Sequence, residues 1–390
     1  MEFELNEEQK MLKNMAHKLA EEVFRPLAAR WDEKEEPPLP NLKILAENGL
    51  AGITIPEEYG GSGGTVFDAV LAVEEIARVC TVTSAMVLGN SVNSEILIKY
   101  GTEGQKRKYL PPIAKGETLI AWGMTEPDAG SAATDLKTRA ELRDGYYFLN
   151  GRKIFITRSS VSNLFVIFAR IGNEPGAKGI VSFIVEKGFQ GFQVGKAEKL
   201  MGLRGGGSCE LILDDCKVPK ENLITSPGMF GKLMRGLNIA RVLNPVFCLG
   251  IAEEALELAK RYSQERVQFG KELCEFQGIQ WMLADMTVKV EAMRLLIYRA
   301  AASVGAGHPD GPLHAAIAKT YANEAAFEVA NAALQIHGGY GYSREFPLER
   351  MVRDVRAFQI GGGSTQILRN LIASLILKRR FAQRDKSGIA

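Results

Sequence analysis

Trp122-Gly123-Met124-Thr125-Glu126-Pro127-Asp128-Ala129-Gly130-Ser131 breaks both helical and strand periodicity at its centre. Pro127, Gly130 and their small polar neighbours make it a loop. Gly and Ala let a backbone approach a partner closely, and Thr125 and Ser131 offer hydroxyls and amides that can grip a polar ring system. Taken alone, the stretch reads equally well as a surface turn. Its surroundings decide.

Upstream the chain reads as helices. Asn6 and Gln9 have capping-box spacing ahead of an amphipathic run to about Phe24. Further helices are expected over Leu39 to Asn48, Ala69 to Val79, Asn93 to Tyr100 and Lys106 to Ile113, with Ile55-Pro56-Glu57-Glu58-Tyr59-Gly60-Gly61 as a turn. From about Ile120 short alternating runs take over: Tyr146 to Gly151, Leu164 to Ala169, Ile180 to Val185 and Glu210 to Leu213. Asn150-Gly151 predicts a hairpin. This β-rich part ends near Pro219 to Pro227. Helical spacing returns over Ile239 to Phe269, Phe276 to Ala302, Pro312 to His337 and Thr365 to Arg380, as in a bundle. The expected fold class is α+β, with a helical domain over 1–119, a β-domain over 120–228 and a helical bundle over 229–390.

The bulk numbers agree. A chain of 390 residues is long for one core. Hydrophobic content of 46% and charged content of 24% are ordinary for a globular protein, and a net charge of +2 gives no nucleic-acid footprint. The five scattered cysteines fit free thiols in a reducing compartment, and the four histidines form no metal-ligand spacing. Phe3-Glu4-Leu5 leads at once into a capped helix, so no signal peptide is read, and no uncharged apolar run predicts a membrane span. The cytoplasm is the expected compartment; a mitochondrial matrix protein shorn of its transit peptide would read the same.

Three further stretches carry chemistry. Lys153-Ile154-Phe155-Ile156-Thr157 is a half-buried strand with an aromatic and a hydroxyl on it. Arg266-Val267-Gln268-Phe269-Gly270, with Gln277 beyond, offers a guanidinium suited to a pyrophosphate; Gly270 also suits a helix stop. Gln335-Ile336-His337-Gly338-Gly339-Tyr340-Gly341-Tyr342 is a glycine-rich turn whose amides can approach phosphate. In this order, and with I-P-E-E-Y-G-G, these stretches resemble the acyl-CoA dehydrogenase family over essentially the whole chain.

The resemblance implies that family's fold: N-terminal helices, a middle β-barrel domain and a C-terminal four-helix bundle. It implies FAD, held by Trp122, Met124, Thr125, Gly130, Ser131, Phe155 and Thr157 beside the isoalloxazine. Phe155 stands where many members have Trp, which keeps stacking but removes the indole N–H. Arg266, Phe269, Gln277, Gln335, Gly338, Gly339, Ser364 and Gln366 complete the expected cofactor contacts. The glycine-rich turn contacts the FAD of a neighbouring subunit in the family, so a homo-oligomer, usually a tetramer, is implied. An acyl-CoA thioester is the implied substrate, met by Ser131, Arg241 and the backbone N–H of Gly362. An electron-transferring flavoprotein is the implied electron acceptor.

One departure matters. Acyl-CoA dehydrogenation needs a base at the carbon next to the thioester carbonyl, ordinarily a carboxylate. Most members carry Glu in a Y-E-G-T turn; here the matching residues are Gly361-Gly362-Gly363-Ser364. A minority carry it on the long helix, where Ala240 stands here. Three explanations stay open. A relocated base is one, with Glu95 the candidate and the acid of a helix N-terminus as its plainer reading; Asp128 also departs from a common Gly, though loop Asp forms turns. Different chemistry on the same flavin, an elimination such as desulfination or a reduction, is another. Cyclic 1,4-dehydrogenases would offer Asp where Ser91 stands, and desulfinating relatives an Arg near Ser84, so neither match is complete. A non-catalytic, FAD-binding paralogue is the third.

Overall fold

The computed structural model describes residues 4–174, 176–236, 238–379 and 381. Six helices open the chain: α1 Glu7–Leu19, α2 Arg25–Lys34, α3 Leu39–Glu47, α4 Val66–Val79, α5 Thr81–Tyr100 and α6 Glu103–Ala114. Eight strands follow: β1 Ile120–Gly123, β2 Arg139–Arg143, β3 Tyr146–Ile156, β4 Leu164–Arg170, β5 Ile180–Glu186, β6 Phe192–Ala197, β7 Cys209–Pro219 and β8 Leu223–Thr225. Then come α7 Phe230–Gly236, α8 Asn238–Glu265, the hairpin β9 Val267–Gln268 and β10 Lys271–Glu272, α9 Gln277–Gly305, α10 Gly311–His337, α11 Gly339–Tyr342, α12 Leu348–Phe358 and α13 Thr365–Ile376.

The helix starts are chemically marked. Asn6 and Gln9 form the expected capping box on α1, and Thr65–Asp68 and Thr102–Gln105 form two more. Helix α5 begins three turns earlier than Asn93. Its first half is buried nearly all round, from Thr81 to Ser94, so it has no polar face to reveal a helical period. Helix α12, packed through Leu348, Met351 and Val355, had no expected counterpart. The last expected helix ends at Ile376, and Arg380 lies outside the described residues. Helices α1, α4, α5, α8, α9, α10 and α12 share one apolar core, so the N- and C-terminal helical parts are packed as a single body.

The sheet runs β6-β7-β3-β2-β4-β5-β8, with β1 also pairing β4 in parallel. This corrects the expected barrel. Strands β6 and β8 are free ends, and β1 takes most of the β4 edge, leaving β2 one pair there, Arg139 with Arg170. At the other end β8 is short, and Gln105 of α6 donates to the Glu221 and Leu223 carbonyls beside it. Strand β4 is buried on both faces: Val166 and Phe168 face the helices, while Phe165 and Ile167 face the rest of the sheet. That explains its unbroken apolar run.

Asn150-Gly151 is not a hairpin turn. It lies inside β3 at a bulge against β7, where Gly151 passes close to Thr138. The turn is Asp144-Gly145, both at positive φ, between β2 and β3.

Candidate functional site

The first two chemical stretches are stitched side by side. The Ile154 N–H donates to the Thr125 carbonyl at 3.0 Å. Beneath them Glu126 and Lys153 are buried and paired at 2.7 Å. Glu126 also accepts from the Thr138 N–H at 3.0 Å, the Thr138 hydroxyl and the Lys137 N–H. Burial opposes the Glu126 charge, but these donors hold its carboxyl below the usual range. Burial pushes the Lys153 ammonium down to about 8 despite its partner. The pair is a clamp, and it frees other side chains for ligand. Phe155 is 55% exposed at φ 56, while Thr157, Gly130 and Ser131 are also exposed.

Trp122 and Met124 are partly buried against the core cluster that includes Ile96 and Leu97 of α5. There Trp122 lines a narrow cavity with Val92, Glu95, Tyr100, Ile239 and Ala240. Glu95 is the carboxylate of that cavity, and it pairs with Lys99 one turn on. So Ala240, one of the two positions where the resemblance leads one to expect a base, shares its cavity with Glu95 and with Trp122 of the loop stretch. Ser91 is buried and bonds back to the Val87 carbonyl. Arg241 donates to Asn238 at 3.0 Å, and burial lowers its pKa.

The other such position, Gly362, is held in place by α10. Gly362 and Gly363 adopt φ 68 and 92, which favours glycine. Buried Lys319 donates to the Gly361 and Gly363 carbonyls at 2.9 and 2.7 Å, and Asn323 joins Asn244 to the Phe358 carbonyl. A Cβ on Gly362 would sit 3.6 Å from Asn244 Nδ2 and 3.8 Å from Lys319 Nζ. Ser364 uses its hydroxyl to cap α13, and Gln366 is exposed on that helix's first turn.

Lys319 leads to a pH prediction. Burial lowers its pKa from 10.5 to about 8. Loss of the proton weakens its hold on the turn, so turnover should fall through about pH 8. The unfolded lysine keeps its proton up to 10.5, so between these values this group makes the fold more stable, not less. A falling activity limb with an undiminished melting temperature identifies the turn. Lys319→Met should lower turnover and remove the limb, as a pH–rate profile beside thermal melts would record.

The last two stretches form a second cleft of about 630 Å³, lined by Arg266, Gln268, His337, Gly338, Gly339 and Tyr340. The Arg266 guanidinium lies 5.9 Å from the Tyr340 ring. Gly270 does not stop a helix. Phe269 and Gly270, both at positive φ, turn the β9–β10 hairpin, and Phe269 stands 95% exposed at its tip. Gln277 and Gln335 are exposed at the ends of α9 and α10. Among the described residues no helix is long and apolar enough to cross a membrane, and no group of metal-ligating side chains is gathered.

This chain matches the acyl-CoA dehydrogenase N-terminal domain over residues 6–117, the middle domain over 121–216 and the C-terminal domain over 230–377. It belongs to the acyl-CoA dehydrogenase family. It is similar to the short-chain-specific acyl-CoA dehydrogenase of Clostridium acetobutylicum, 42% identical over 97% of this chain and 100% of that one. It is similar too to the 3-sulfinopropanoyl-CoA desulfinase of Paraburkholderia xenovorans, 42% identical over 98% and 99%. The butyryl-CoA dehydrogenase structure from Megasphaera elsdenii superposes with a TM-score of 0.93, at 38% identity, covering 97% and 100%. An acyl-CoA dehydrogenase-type oxidoreductase of this family uses FAD, and the residues here fit that cofactor. Around the clamp an aromatic ring, Phe155, and the hydroxyls of Thr157 and Ser131 are exposed, and the second cleft offers a guanidinium and a glycine turn. When bound, FAD supplies the two-electron chemistry.

Sequence reading missed Glu126, Lys153 and Lys319. The first two sit inside quoted motifs, hidden beside other polar or charged residues, Asp128 for Glu126 and Arg152 for Lys153. Lys319 stands alone as a charge in the apolar run from Ala315 to Ala322, and that was the available signal.

Proposed function

We propose that this acyl-CoA dehydrogenase acts on an acyl-CoA whose acyl chain places the acidic proton near Glu95 rather than near Gly362. The supporting observation is the cavity that Glu95 shares with Trp122 and Ala240. In this reading Trp122, Met124, Thr125, Gly130, Ser131, Phe155 and Thr157 hold the isoalloxazine. Ser131, Arg241 and the Gly362 N–H meet the thioester, and Glu95 receives the proton. Arg266, Phe269, Gln277, Gln335, Gly338 and Gly339 reach the FAD of a neighbouring subunit in a homotetramer, with Ser364 and Gln366 at the near edge. The exposed Phe269 and the open Arg266 cleft support assembly in trans. Electrons pass to an electron-transferring flavoprotein in the cytoplasm. A bulky or cyclic acyl group suits a turn that carries no side chain.

The test is anaerobic bleaching of the flavin with straight-chain, branched, cyclic and acidic acyl-CoAs. Glu95→Gln should slow bleaching by about 10² to 10⁴ while leaving thioester binding intact. An unchanged rate and pH profile would remove Glu95 from the role.

A second reading is elimination, in which a group leaves the acyl chain and the flavin is not consumed. The absence of a carboxylate at Gly362 and Ala240 and the likeness to a desulfinase support it. Sulfite release from a sulfinyl acyl-CoA, without bleaching by any thioester, would establish it.

A further inference from the structure

Arg158 follows Thr157 in the turn after β3, at φ 64. Non-glycine residues seldom adopt that conformation. The side chain runs inward to α5 and is 7% exposed. Its Nη2 donates to the Ile120 carbonyl at 3.0 Å, while Nη1 is buried with no hydrogen-bond partner among the described residues. Burial lowers its pKa to about 10, so the group is cationic at neutral pH, and it has no carboxylate partner among the described residues. The guanidinium lies against Gly89 so closely that a Cβ there would stand 1.7 Å from Nη1 and 1.8 Å from Cζ. Only glycine at that point of α5 leaves the room.

This arrangement is costly four times over: a left-handed backbone, a glycine within a helix, a desolvated charge and an orphaned N–H. Its structural return is small. The Ile120 carbonyl already accepts from Asn93 Nδ2 at 2.7 Å. An apolar side chain of similar volume would fill the space without the charge. The position of that charge is informative. Ile120 opens the strand that leads through Trp122 into the loop, and Thr157 is the neighbouring residue, so the cation is tied to the start of one segment read as the isoalloxazine grip and to the end of the other.

We propose that Arg158 is a fixed buried charge that raises the reduction potential of the bound FAD. Reduction adds two electrons, and uptake of one proton leaves one net negative charge on the ring system. Those electrons come from the acyl-CoA. A cation held in a low-dielectric wall favours that anionic form over the neutral oxidised one, at no reorganisation cost. The proposal rests on the flavin reading of residues 122–131 and 153–157.

The experiment measures the FAD midpoint potential and the dissociation constant of the sulfite adduct, which also places negative charge on the ring. It compares wild type, Arg158→Met, Arg158→Lys and Gly89→Ala. Arg158→Met should shift the oxidised/reduced equilibrium about tenfold toward the oxidised form, roughly 30 mV for a two-electron couple. Sulfite binding should weaken by a similar factor. Arg158→Lys should restore most of both. Gly89→Ala displaces the guanidinium without deleting it and should behave like Arg158→Met, which keeps the test open if that variant misfolds. FAD bound at wild-type potential in Arg158→Met or Gly89→Ala overturns the proposal alone. A wild-type protein that takes up no FAD overturns the flavin reading with it.

Discussion

Glu126→Ala is expected to destabilise the fold by roughly 3–5 kcal/mol, the usual cost of stripping one partner from a buried ion pair. Four donors lose their acceptor at once: the Lys153 ammonium, the Thr138 hydroxyl, and the Lys137 and Thr138 amides. The Ile154–Thr125 contact then has nothing beneath it, so FAD retention should fall with stability. Urea melts with and without added FAD measure both. Glu126→Leu combined with Lys153→Met should recover only part of the loss. It removes the stranded charge but leaves the Thr138 hydroxyl and two amides without an acceptor. The clamp also has an acid limit. The Glu126 pKa in the fold lies below its unfolded value of 4.5, so its contribution is present above that value and is lost as pH falls through the folded one. A single Glu126→Ala cost under about 1 kcal/mol would show that the clamp does not hold the loop.

The clamp shows what the sequence exposes and what it conceals. Pro127 and Gly130 marked the loop, and Phe155 and Thr157 marked the strand, because local backbone chemistry and residue type were enough. Nothing local joined them. The joining groups, Glu126 and Lys153, lie far enough apart in sequence that pairing is a tertiary fact. The same holds for Lys319, whose acceptors are the carbonyls of a turn over forty residues later. Arg158 is concealed differently: its meaning depends on Gly89, and a glycine in a helix reads as weakness until a guanidinium is seen against it. Asn150-Gly151 misled because its turn propensity is real, but Asp144-Gly145 took the turn and the bulge absorbed the glycine. The closed barrel was carried over from the family. Strand order settles closure, and alternating runs do not encode it. The long helices of the C-terminal part were legible to within a few residues, except where α8 gave its end to the Phe269 hairpin, while the shorter α12 was not expected at all.

Gly362→Glu is expected to create a straight-chain dehydrogenase activity, and the magnitudes decide why. A residue other than glycine at φ 68 costs roughly 1–2 kcal/mol. A Cβ there meets Asn244 and Lys319 at 3.6 to 3.8 Å, ordinary contact distances, so no overlap adds to that cost. A positioned general base is worth about 10² to 10⁴ in rate, or roughly 3–5 kcal/mol, which exceeds the strain. The Lys319 ammonium next to the new side chain favours its carboxylate form and so keeps it ready to accept a proton. Bleaching by butyryl-CoA should therefore accelerate by at least tenfold in Gly362→Glu, with a modest fall in melting temperature. Adding Lys319→Met should cancel much of the gain, because the turn and the ionised carboxylate both depend on that lysine. If Gly362→Glu retains FAD and binds butyryl-CoA yet bleaches no faster, the thioester is not presented to this turn. The chemistry would then lie wholly at the Glu95 cavity, and the glycine turn would be a shape for the acyl group rather than a catalytic post.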